Sequence, residues 1–121
     1  MLAHWIMCTD DDQPIVEDLV VGYDDRLSLV VRLIRTDYMD EGCCSSVSAI
    51  VSKDEAYKLA KRLSIRMTQL PARIAECFAD YGEIINASFS DATRCFAEIL
   101  DALVYENCRY SIRHRSSHQA T

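Results

Sequence analysis

The chain reads as an α+β protein, a mainly antiparallel sheet of four to five strands with two or three helices packed on one face, in the order β-β-β-β-α-α-α-β. Three observations carry this reading. Apolar residues alternate with a period of two in stretches up to residue 51. The period then lengthens to about three and a half through the middle of the chain. A short alternating stretch returns near the C-terminus, at 109–115 (RYSIRHR). The connections between the early strands are short, which implies antiparallel neighbours.

Residues 2–8 (LAHWIMC) are short and apolar and suit a strand, which Asp10, Asp11, Asp12 and Pro14 bring to an end. Residues 15–21 form the second, with Ile15, Leu19 and Val21 alternating against Val16 and Val20, and with Glu17 and Asp18 leaving the register open. Gly22, Tyr23, Asp24 and Asp25 have turn composition. The stretch 26–36 (RLSLVVRLIRT) then places Leu27, Leu29, Val31 and Leu33 on a dry face and Ser28, Val30, Arg32 and Ile34 on the other, with Arg26 just before them. After a polar turn at 37–42, residues 43–51 set Val47, Ala49 and Val51 against Cys44, Ser46, Ser48 and Ile50.

Ser52 followed by Glu55 is a capping box, and Ala56, Leu59, Ala60 and Leu63 follow at helical spacing. Pro71 either ends that helix or starts another. Ile74, Cys77, Phe78 and Tyr81 make a second apolar face with Gly82 as its stop, and one kinked helix from 53 to about 81 is the alternative. The third helix carries Cys95, Phe96, Ile99, Leu100, Leu103 and Val104 on one stripe, capped by Ser88 or Ser90 with Asp91. Asn107 suits a left-handed end, and the last strand turns Tyr110 and Ile112 inward and Arg109, Ser111, Arg113 and Arg115 outward. Residues 1–115 are thus expected to form one domain and 116–121 a frayed tail.

Half of the residues are hydrophobic and only five are Gly or Pro, which argues against disorder. The start of the chain lacks the basic segment of a signal peptide, and no apolar run approaches the length of a membrane span. A cytoplasmic location with reduced cysteines is the expectation. Residues 1–60 hold 12 acidic and five basic side chains, residues 61–121 seven acidic and eight basic. The net charge of −6 therefore belongs to the N-terminal half and disfavours general nucleic-acid binding.

Motifs for a reaction are lacking. Cys8, Cys77, Cys95 and Cys108 sit at apolar or element-end positions and read as buried filler. Cys43 and Cys44 lack the CxxC spacing and the neighbouring cation of a reactive thiol pair. His114 and His118, four apart after Cys108, fall on a strand and a tail rather than on one helix face, and Asp10–Asp12 with Asp24 and Asp25 do not follow the order of a calcium loop. No cofactor or metal is expected.

What remains is the sheet face turned away from the helices. The residues assigned to it are Arg26, Val30, Arg32, Ile34, Ser46, Ser48, Ile50, Arg109 and Arg113. Arginine mixed with aliphatic side chains, without lysine, is typical of buried contact surfaces. The expected function is a small acidic module that binds a partner stoichiometrically, either another protein or a second copy of itself as a homodimer. The alternative is an enzyme or ligand-binding domain with a pocket between helices and sheet near Cys43, Cys44 or His114. Phosphate or nucleic-acid binding on the arginines is weaker still, since no aromatic is assigned to that face for stacking.

Overall fold

The computed structural model describes residues 3–9, 14–39 and 43–117. Five strands, β1 (Ala3–Cys8), β2 (Ile15–Tyr23), β3 (Leu29–Asp37), β4 (Cys43–Val51) and β5 (Ser111–Ser117), form one antiparallel sheet in the order β1-β2-β3-β4-β5. The helices lie between β4 and β5: α1 (Lys53–Arg62), α2 (Leu70–Cys77), the single turn α3 (Ala79–Gly82) and α4 (Phe89–Tyr105), with a 3₁₀ turn at Met67–Gln69. The α+β plan and its order match the sequence reading. The final strand runs through Ser117, two residues past the expected boundary, and His118 and the acidic run Asp10–Asp12 lie outside the described residues.

Each helix is bounded by local chemistry. Ser52 Oγ accepts the Glu55 N–H at 3.3 Å to start α1. Ser64 then adopts φ 57°, its N–H bonds Lys61 O and the Ile65 N–H bonds Ala60 O, a left-handed cap that separates α1 from α2 and rules out one kinked helix. Pro71 lies in the first turn of α2, where its missing N–H costs nothing. The Asp91 carboxylate accepts the Ser88 N–H at 2.8 Å at the start of α4. At its end Asn107 takes φ 56° and Cys108 N–H reaches back to Leu103 O at 2.8 Å, the same cap as in α1.

The core lies between the helices and one sheet face, where Leu19, Val21, Leu29, Val31, Ala49 and Val51 meet Leu59, Leu70, Ile74, Cys95, Ile99 and Leu103. The β2 register, open in the sequence, turns Ile15, Glu17, Leu19 and Val21 to the helices, because Leu19 pairs with Leu33 and Val21 with Val31. In β1 the pairing slips between Trp5 and Met7, so that Ile6 and Met7 are both buried although adjacent. Gly82 sits so close to this bulge that a Cβ on it would come within 2.9 Å of Ile6 O.

Two inward assignments are corrected. Leu27 is 48% exposed with φ 61°, since Asp24 Oδ1 accepts the N–H groups of Arg26 and Ser28 and holds 24–28 as a turn, so the strand starts at Leu29. Val104 is exposed, lying one helical step round from Leu103. Cys8 and Cys77 are also exposed rather than buried filler. Among the described residues no helix is long and apolar enough to cross a membrane.

Candidate interaction face

Strand alternation and antiparallel register dictate what the face away from the helices displays. Four rows of side chains cross it, the outermost being Val16, Thr36 and Cys44. Trp5, Val20, Arg32, Ser48 and Arg113 are paired in succession from β1 to β5 and make the middle row. On one side of it lie Asp18, Ile34, Ser46 and Arg115, and on the other Gly22, Val30, Ile50 and Ser111. Among the described residues no helix packs over them.

Within the middle row, Arg32 Nε donates to Ser48 Oγ at 3.0 Å, which satisfies a buried hydroxyl and lays the guanidinium along the sheet instead of into solvent. On either side of Arg32, Val30 is 7% exposed and Ile34 is half-buried. At the β1 end Trp5 is 63% exposed, far more than an indole in a packed position. Among the described residues three arginines, Arg32, Arg113 and Arg115, share the face with one carboxylate, Asp18, on a chain whose net charge is −6. Aliphatic side chains flank Arg32 at the centre of the face, and the face is positive towards β5.

Seven of the nine residues assigned from sequence meet here: Val30, Arg32, Ile34, Ser46, Ser48, Ile50 and Arg113. Arg26 does not, because the Asp24 turn carries it beyond the end of β3. Arg109 precedes β5, and its backbone N–H is bound to Glu55 Oε1 at 3.1 Å, which ties it to α1 at the sheet's end. Trp5 was missed. The bulge at Ile6 breaks simple alternation in β1, and only the pairing of Trp5 with Val20 assigns the indole to this side. Its presence also corrects the expectation that the face holds no aromatic.

The helix side offers smaller features. Glu17, only 2% exposed, forms an ion pair at 3.3 Å with Arg35, whose guanidinium also stands 5.9 Å from the centre of the Phe89 ring. Glu17 and Arg35 line a cavity of about 220 Å³ with Thr93 and His114, but not with Cys43 or Cys44. An apolar cavity of about 250 Å³ lies elsewhere, among Leu59, Ile74, Cys77, Phe78 and Leu103 between the helices. Of these two only the first lies at His114, and a larger cavity of about 760 Å³ lies at the other end of the sheet, among Ser52, Glu55, Lys58, Arg62, Arg109 and Ser111. Burial pushes the Cys95 thiol up to about 12, with Glu98 adding to it, and burial raises Cys108 as well, so both are poor nucleophiles. Among the described residues no three His, Cys, Asp or Glu side chains are grouped to hold a metal.

No family model matches the chain, and no match was found among curated proteins or solved structures. The functional reading therefore stands on geometry and chemistry alone.

Proposed function

We propose that this protein acts by stoichiometric binding of another protein through the outer face of its sheet. What supports the reading is the middle row, an exposed tryptophan at one end, arginines at the centre and far end, and aliphatic side chains on either side. Trp and Arg dominate the energetics of protein contacts, and aliphatic surroundings that exclude water strengthen them. Charge favours a different, acidic protein over a second copy, since two copies stacked face to face bring arginine-rich surfaces together.

A nucleic-acid reading gains Trp5 as a stacking platform, yet one aromatic at the edge and a net charge of −6 weigh against it. Protein binding accounts for the central aliphatics and nucleic-acid binding does not.

The experiment is to compare wild type with Ile34→Asp, which places a charge at the centre of the face without touching the core. Affinity capture from the native host, followed by mass determination of the complex, is expected to yield a partner in fixed ratio that Ile34→Asp loses while its circular dichroism is unchanged. Retention of the same partner by Ile34→Asp would move the binding surface elsewhere, and a salt-sensitive nucleic acid in place of a protein would select the second reading.

A further inference from the structure

We infer that the free edge of β5 is a docking site for an extended acidic segment of the partner, which adds a sixth strand to the sheet. This rests on the reading that the chain binds another protein, and it names the chemistry of what is bound.

The helical layer lies over β1, β2 and β3 and stops short of β5. Every residue from Ser111 to Ser116 is exposed, and even Ile112, on the helix side, is 44% exposed. One side of the strand pairs with β4, from Ile50 opposite Ser111 to Cys44 opposite Ser117. Among the described residues no strand pairs with its other side. Such an edge presents alternate N–H and C=O groups to an incoming strand.

The side chains decide which strand fits. Arg113 and Arg115 project on the outer face and His114 on the other, and β5 contains no carboxylate. A second copy pairing edge to edge sets these arginines against their own counterparts, and like charges across a ladder are destabilising. An acidic strand reverses the sign. Glutamate or aspartate at alternate positions lies across from Arg113 and Arg115, while the intervening positions lie against Ile112 and His114 and suit aliphatic side chains.

The test uses the intact protein and a synthetic seven-residue peptide alternating glutamate and valine, blocked at both ends and matched to the seven residues of β5. Titration followed by amide NMR should move the resonances of 111–117 first. Replacing glutamate by lysine, or methylating the backbone nitrogens on the edge-facing side of the peptide, should abolish the response. Arg113→Glu with Arg115→Glu should weaken binding about tenfold, the effect of turning two opposite-charge pairs into like-charge pairs. Arg113→Gln with Arg115→Gln provides the same test with less perturbation of the fold. Equal binding of the lysine peptide, indifference to backbone methylation, or no response in 111–117 overturns the inference. If that happens while Ile34→Asp still loses the native partner, the edge is rejected and the outer face stands.

Discussion

Glu17 is held in the core by the same register that buries Leu19 and Val21, and its Oε1 has Arg35 as its cation. Removing the cation leaves a buried carboxylate exposed to the full cost of desolvation. Because the Arg35 side chain is about half in water, the loss for Arg35→Ala is expected at about 1–3 kcal/mol, below that of a fully buried pair. Urea denaturation measures it, and Glu17→Gln added to Arg35→Ala should recover part of the loss by removing the stranded charge. No recovery would mean that Arg35 stabilises through its contact with Phe89 instead. Two half-buried carboxylates behave differently with pH. The Ser88 N–H holds Asp91 below its ordinary value of 3.8, and the Arg109 N–H, helped by Lys58, holds Glu55 below 4.5. A depressed folded value means that the unfolded state takes up protons first as pH falls. Both contributions are thus complete above these ordinary values and are lost as pH drops through the lower folded ones. Acid titration of stability should show a shallower decline below pH 3.8 in Asp91→Asn than in wild type.

At the scale of elements, Gly82 sets two effects against each other. Alanine favours a helix over glycine by about 0.5–1 kcal/mol, whereas a Cβ within 2.9 Å of the Ile6 carbonyl forces backbone apart at a cost of about 1–3 kcal/mol. The steric term is larger, so Gly82→Ala should lower the urea midpoint, and a raised midpoint would show that α3 can lift off β1 freely. Sequence alone named Gly82 as a stop but not this contact, which joins residues far apart in the chain. The same division runs through the fold. Strands β2 to β5, the Ser52 and Asp91 caps, the first-turn proline and the left-handed Asn107 were legible because each depends on neighbours in sequence. Leu27 was misread because one aspartate side chain outweighed a continuous apolar alternation. Trp5 was missed because a bulge, set by pairing with β2, shifts alternation by one residue. Seven of nine face residues were found since they sit on β3, β4 and β5, where alternation holds, and the two that strayed lie just outside strand ends.

For the whole molecule, the layered plan leaves the only tryptophan on the side that the core does not use. That separation makes folding and binding report differently. Global unfolding dissolves the core around Leu19, Leu70 and Ile99, but an indole already 63% exposed meets little new water, so its emission should shift only slightly across a transition that circular dichroism records as cooperative. Partner binding should do the reverse, moving the emission to the blue with no change in dichroism. Trp5→Ala should accordingly cost less than about 1 kcal/mol of stability, as an exposed substitution away from the core does. At the same position the loss of a contact-dominating indole should weaken the complex by about 2 kcal/mol, roughly thirtyfold. Blue emission from the free protein that turns red on unfolding would instead mean that the indole is already covered. Sedimentation of that sample at falling concentration then decides the cover: a mass that halves on dilution as the emission reddens identifies a second copy lying on the face, against the sign of its own arginines.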